Sequence, residues 1–245
     1  MEPDHRYYLR WSYGDRLRDL AGNIVGNYNY HYFNTSGGID SVAPLIRVAS
    51  IAEGSINVPV NGQIVVELDE AIGDGCQPEA TLSSVAGDVA LTIAITSDRQ
   101  TLTLTPSENL SASTAYSLSL SNLCDYSGNA LSANSVLSFI TSASGEDTSA
   151  PTLVSITPTN NAIDIAVTSS IVMEFSEAID QTSRPVVTAG SLTVLGDYVV
   201  SGNTITFTPD ADLQGDIQYR VNLYSGQIYD LAGNSPSIGY RYFTT

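Results

Sequence analysis

The five residues Asp230-Leu231-Ala232-Gly233-Asn234 also stand at Asp19–Asn23, and a variant, Asp125-Tyr126-Ser127-Gly128-Asn129, lies between them. From Asp19 to Asp125 is 106 residues, and from Asp125 to Asp230 is 105. That period is too long for the units of a solenoid or propeller and suits one whole domain. The 245 residues are therefore a string of copies: complete ones at 40–142 and 147–245, and the last third of another at 1–35.

Residues 147–245 give the clearest reading. Apolar and β-branched runs recur at Pro151–Pro158, Ser170–Ser176, Pro185–Thr188, Ser191–Val194, Asp197–Val200, Thr204–Thr208, Gln218–Leu223 and Tyr240–Thr245, separated by Gly190, Gly196, Ser201-Gly202-Asn203 and Pro209. Several alternate: Ile171, Met173 and Phe175 share one face, as do Tyr219, Val221 and Leu223. Short alternating runs with turn residues between them, and no sustained helical period, predict an all-β chain of tandem antiparallel Greek-key β-sandwiches with almost no helix. Residues 40–142 repeat the plan at Ala43–Val48, Gln63–Asp69, Thr101–Pro106, Ala115–Leu120 and Ser135–Thr141. In the first copy Tyr30-His31-Tyr32-Phe33-Asn34-Thr35 lies over Tyr240–Thr245, and only two strands are expected. Two strands alone are marginal in water, so this segment is expected to pack on the next domain, pair with another chain or fray. The joining segments, Thr35–Ser41 and Ser142–Ser149, are short and polar, which favours an end-to-end array.

Charge removes several classes of partner. The formal net charge is −17, with nine arginines, no lysine and 26 carboxylates. Nucleic acid and anionic lipid would be repelled, whereas divalent cations would be attracted. No apolar run is long enough to span a bilayer, so no direct membrane insertion is expected. His5 and His31 both fall in the partial copy, which leaves neither complete domain a histidine for a Ser-His-Asp arrangement or a zinc site. The chain is read as non-catalytic.

The last copy carries an opening Asp147 before Ala150-Pro151, then Phe175-Ser176-Glu177, Thr206-Phe207-Thr208-Pro209, Tyr219-Arg220-Val221, the Asp230–Asn234 loop and a final Phe243-Thr244-Thr245. Together these motifs resemble tandem bacterial immunoglobulin-like domains of surface or secreted proteins. The copy at 40–142 departs from this pattern with Leu68-Asp69-Glu70 and carries both cysteines, Cys76 and Cys124. The resemblance implies a fibronectin III-like sandwich and an extracellular or cell-surface location. It implies as partners the other domains of the same parent protein, together with surface glycans or proteins. It also implies a structural, adhesive repeat array, with a carbohydrate-binding or accessory module of a larger secreted enzyme as the alternative.

In that topology the loops after the second and the penultimate strand meet at one end of the domain. Cys76 is thereby expected beside Cys124 as a disulfide, with two buried thiols as the other outcome. The same end gathers Asp147, Glu177, Asp180, Asp230 and Asn234 in the last copy, and Asp40, Glu70, Asp74, Asp125 and Asn129 in the middle one. Two readings stand for each set. Clustered oxygen donors suit calcium at a domain junction, while Asp, Gly and Asn in a short loop also make a turn unaided. For sugar binding, the aromatic residues to examine are Trp11, Tyr13, Tyr28, Tyr224 and Tyr229.

Overall fold

A computed structural model describes residues 5–11, 29–35, 38–131 and 136–245, and no helix occurs among them. The chain forms two compact units, 1–42 and 43–245.

The first unit is an antiparallel hairpin of β1 (Arg6–Trp11) and β2 (Asn29–Asn34), with Tyr7 opposite Phe33 and their rings stacked at 5.6 Å. The Asp19–Asn23 loop, Tyr13 and Tyr28 lie outside the described residues.

The second unit holds two sandwiches built on one plan. In the first, β3 (Ile46–Ala49), β5 (Ile64–Leu68), β9 (Thr101–Pro106) and β8 (Leu91–Ile95) make one sheet in the order 3-5-9-8. Its partner sheet runs β4 (Ser55–Val58), β11 (Val136–Thr141), β10 (Ala115–Ser121), β6 (Glu79–Ser84) and β7 (Gly87–Val89), with β4 parallel to β11. In the second, β12 (Leu153–Thr157), β13 (Ile171–Phe175), β17 (Thr204–Pro209) and β16 (Gly196–Ser201) form one sheet. The other sheet consists of β15 (Leu192–Thr193), β14 (Val187–Ala189), β18 (Gln218–Leu223) and β19 (Gly239–Thr244). The parallel pairing of β4 on β11 survives in the last domain as a single bridge between Ala162 and Phe243.

Alternation along the strands fills each core. Ile64, Val66 and Leu68 point inward from β5, and Ile171, Met173 and Phe175 from β13. Each such fully buried side chain stabilises the fold by about 1.5–3 kcal/mol relative to its exposed state. Tyr219 stacks on Phe243 at 5.3 Å, and Tyr116 on Phe139 at 5.7 Å. A Phe could supply the same packing, but the hydroxyl has its own task. The Tyr219 hydroxyl accepts the Gln214 amide at 2.7 Å, and that of Tyr116 accepts the Ser111 amide at 2.9 Å. Each phenol thus pins the crossover that enters its strand from five residues upstream, the corner seen in immunoglobulin-type sandwiches.

Candidate metal centre at the domain joint

The Asp230–Asn234 loop is built by its own polar groups. Asp230 Oδ1 accepts the amides of Ala232 and Asn234, both at 2.8 Å, and its Oδ2 accepts Asn234 Nδ2 at 2.9 Å. Gly233 takes φ +87°, a left-handed conformation that side chains resist. The middle domain copies the network: Asp125 Oδ1 accepts Ser127 and Asn129 amides at 2.7 and 2.8 Å, and Gly128 takes φ +89°. Turn chemistry therefore accounts for the Asp, Gly and Asn of the motif.

It does not account for the leucine. Leu231 is 9% exposed and belongs to the buried cluster of the preceding sandwich, with Ile51, Val60 and Leu110 among its members. The opposing backbone is fitted to it. A Cβ on Gly62 would stand 2.7 Å from the Leu231 carbonyl oxygen, closer than real contacts allow. Asn61 beside it grips the linker at two points, accepting the Asp147 amide on Oδ1 at 2.9 Å and donating from Nδ2 to the Asp147 carbonyl at 2.8 Å. The Gln181 amide donates to the Ser50 carbonyl at 2.9 Å. The joint is thus held by an apolar plug and a small set of backbone bonds. In the last domain the turn equivalent to Gly62 carries Ser169, whose amide bonds Ala166 at 3.0 Å as that of Gly62 bonds Pro59 at 3.3 Å.

At this joint Asp147, Glu177 and Asp230 place carboxylate oxygens within 4.8 Å of one another. Asp147 comes from the linker, Glu177 from the turn after β13, and Asp230 from the loop that bridges back to Ile179. Burial, a hydrogen bond to Asp147 and the charges of Asp147 and Asp230 push the Glu177 carboxyl up to about 7. Burial also raises Asp230, partly offset by its bonds from Asn234 and Ala232. Like charges this close hold a proton or a cation between them. Oxygen-only donors on irregular loops are the set that suits calcium.

The five residues expected to converge in this copy reduce to these three plus the Asn234 amide, which donates to the Asp147 carbonyl at 3.2 Å. Asp180 stands apart because its carboxylate serves its own turn, accepting the Thr182 amide and hydroxyl at 2.6 and 2.7 Å. In the middle domain Glu70 and Asp125 have oxygens within 4.8 Å of each other, and Asn129 Nδ2 donates to Asp125 Oδ2 at 2.7 Å. Burial pushes the Asp125 carboxyl up, but the bonds from Asn129, Ser127 and Gly128 outweigh it and hold the group below its ordinary value. Asp74 instead pairs with Arg99 at 3.3 Å. Asp40 lies in the first unit, where its carboxylate accepts the Val42 amide at 3.1 Å.

Cys76 and Cys124 are bonded, across a Cα separation of 5.8 Å. Of the aromatic residues considered for sugar, Trp11 lies in β1 and Tyr224 is exposed just past the end of β18. Tyr229 is half-buried, with its backbone held by Ser183. Sequence reasoning missed Asn61, Gly62 and the reach of Leu231. The one available signal was that Leu20 and Leu231 match while Tyr126 does not.

A family model described as "Bacterial Ig-like domain" matches residues 40–141 and again 147–245. No curated protein matches the chain. Among solved structures, the N-terminal part of the bacterial S-layer protein SbsC is similar at 11% identity and a TM-score of 0.33, over 83% of this chain and 44% of that one. Domains 1–6 of surface layer protein SbsC are similar at 13% identity and a TM-score of 0.33, over 80% of this chain and 34% of the other. The chain thus spans less than half the length of the structures it matches.

Proposed function

Because the chain belongs to the family of bacterial Ig-like domains, we propose that residues 43–245 are a non-catalytic structural segment of a bacterial surface or secreted protein, a stiff two-domain spacer in an adhesive array. The observation that carries this reading is Leu231, a side chain of one sandwich that completes the buried cluster of the other. A joint that shares apolar core resists bending more than a polar linker does, since hinging it exposes buried area. The Cys76–Cys124 disulfide fits an oxidising, extracytoplasmic location. The hairpin of β1 and β2 is read as the closing hairpin of a further repeat, because its stacked Tyr7–Phe33 pair matches Tyr116–Phe139 and Tyr219–Phe243.

The finer part of the proposal is that calcium stiffens the joint. Asp147, Glu177 and Asp230 would hold it; the close approach of the three carboxylates and the high affinity of Glu177 for a proton support this. The test is thermal unfolding in EDTA and in millimolar calcium, for the wild type and Glu177→Gln. Asp230→Ala is the weaker probe, since it also removes the turn. Calcium at a hundredfold excess over Kd would add about 2.7 kcal/mol, or about 2–4 °C of Tm for each kcal/mol in a chain of this size. The expected result is a rise that Glu177→Gln abolishes. Equal melting with and without calcium would remove the ion and leave the joint to Leu231 and Asn61.

A further inference from the structure

We propose that the outer face of the β15-β14-β18-β19 sheet binds an acidic glycan, a saccharide bearing uronic-acid carboxylates. This inference is independent of the metal centre and goes beyond the spacer role. The face carries an aromatic platform with a cation laid on it. Tyr224 and Tyr240 meet edge-on with ring centroids 4.8 Å apart, Tyr242 lies 6.3 Å beyond Tyr240, and the Arg220 guanidinium sits 4.7 Å over the Tyr240 ring. Tyr224 and Tyr240 remain 39% and 37% exposed.

The sister domain indicates that the sandwich does not need these residues. The ladder that sets Tyr219 opposite Phe243 sets Arg220 opposite Tyr242, and the one that sets Tyr116 opposite Phe139 sets Ser117 opposite Ser138. By the same register Ser121 stands where Tyr224 does. Serine at three of these outward positions, with Val136 where Tyr240 stands, suffices for a stable strand pair, so the arginine and tyrosines of the last domain answer some other requirement. The first unit repeats the arrangement: Tyr8 lies opposite Tyr32, with rings 6.2 Å apart and the Arg6 guanidinium 4.6 Å over Tyr32.

Charge selects the ligand class. The outer face of this sheet carries one arginine, Arg220, while Arg241 pairs with the buried Val221 on the other face, and the four strands hold no acidic residue in a chain with 26. Among the described residues no carboxylate pairs with Arg220, and its Nε is buried without a hydrogen-bond partner. The guanidinium is therefore held by the ring rather than by an anion of its own chain. Phenol rings offer flat apolar faces for the C–H face of a pyranose and hydroxyls for its oxygens, while a guanidinium fork matches a carboxylate. The overall negative charge of the protein does not forbid this, because charges beyond about 8 Å are largely screened at physiological salt.

The test is calorimetric titration of the whole chain with an oligogalacturonide and with its methyl-esterified, neutral form. The comparison variant is the triple substitution R220S/Y224S/Y242S, which installs the sister domain's residues, with Tm measured alongside. The expected result is binding of the acidic form, weakened about tenfold by esterification and at least tenfold by the triple substitution, a tenfold change being about 1.4 kcal/mol. No binding of the acidic form by the wild type, equal binding of both forms, or binding that survives the substitution would each overturn the proposal. If the triple variant melts early, Y224S alone, at an exposed position past the end of β18, gives the same reading.

Discussion

The Ser183 hydroxyl accepts the Tyr229 amide at 2.9 Å and donates to the Tyr229 carbonyl at 3.3 Å, at the place where the other domain bonds Cys76 to Cys124. The surrounding turns correspond. The Ser183 amide donates to Asp180 at 3.0 Å as that of Cys76 does to Gly73 at 3.2 Å, and the Asp180 and Gly73 amides reach Tyr229 and Cys124 at 2.9 and 2.8 Å. One sandwich ties its two loops by a covalent bond, and the other by a buried hydroxyl that uses both its donor and its acceptor.

Ser183→Ala should therefore cost about 1–3 kcal/mol, because it strands the Tyr229 amide without a partner. Urea unfolding would register it as a lower midpoint at unchanged slope. C76A/C124A should cost about 3–4 kcal/mol for a bridge spanning 48 residues. The paired substitution S183C/Y229C should form a second disulfide, seen as the absence of free thiols in the unfolded, unreduced protein. Free thiols there would mean that the two turns are not interchangeable.

Leu231→Ala should loosen the joint more than it loosens either domain. Truncating a buried leucine costs about 2–5 kcal/mol, and here the loss falls on the contact between the sandwiches. Calorimetry should resolve two transitions in the variant, against a single one expected for the wild type. Gly62→Ala should act likewise, by forcing the Leu231 carbonyl away. A single undisturbed transition in both variants would show that the domains are coupled elsewhere.

Stability in EDTA should fall as pH rises from about 4.5 to about 7 and level off above that. Glu177 titrates near 7 in the folded chain against an ordinary 4.5, so the folded state binds its proton more tightly than the unfolded state does. The contribution is fully present below about 4.5 and lost as pH rises through about 7. Glu177→Gln should flatten that part of the profile. A wild-type profile already flat between those pH values would place the proton elsewhere.

Tyr219→Phe should keep the ring stack on Phe243 and lose the corner. The Gln214 amide would be left without its acceptor, at about 1–3 kcal/mol, and exchange protection of that amide should drop while that of the β18–β19 ladder persists.

The sandwich was legible from the residues because alternation, turn residues and the repeated loop agree with one another. Gln218–Leu223 and Thr101–Pro106 are strands over the predicted bounds. The joint was not legible. Nothing in Leu231 distinguishes a side chain that fills its own core from one that fills a neighbour's, and the fit of Gly62 is a property of two backbones meeting. The candidate metal centre was legible only in part, because spacing brings loops to one end without saying where a carboxylate points. Asp180 turns back onto Thr182, whereas Glu177 reaches Asp147. The tyrosine platform emerged only when the two ladders could be laid over each other, since Tyr240 and Tyr242 read in sequence as ordinary strand residues.

Gly62 and Ser169 occupy the same turn in successive domains, and only the glycine leaves room for the loop that docks on it. The two domains are consequently not exchangeable parts. A recombinant protein with their order reversed would present Ser169 to the incoming loop, and its hydroxymethyl group would meet the backbone that Gly62 admits. The sequence of modules is thus written into the chain by steric permission at a single turn, and shuffling them would yield the same folds in a string without the same stiffness.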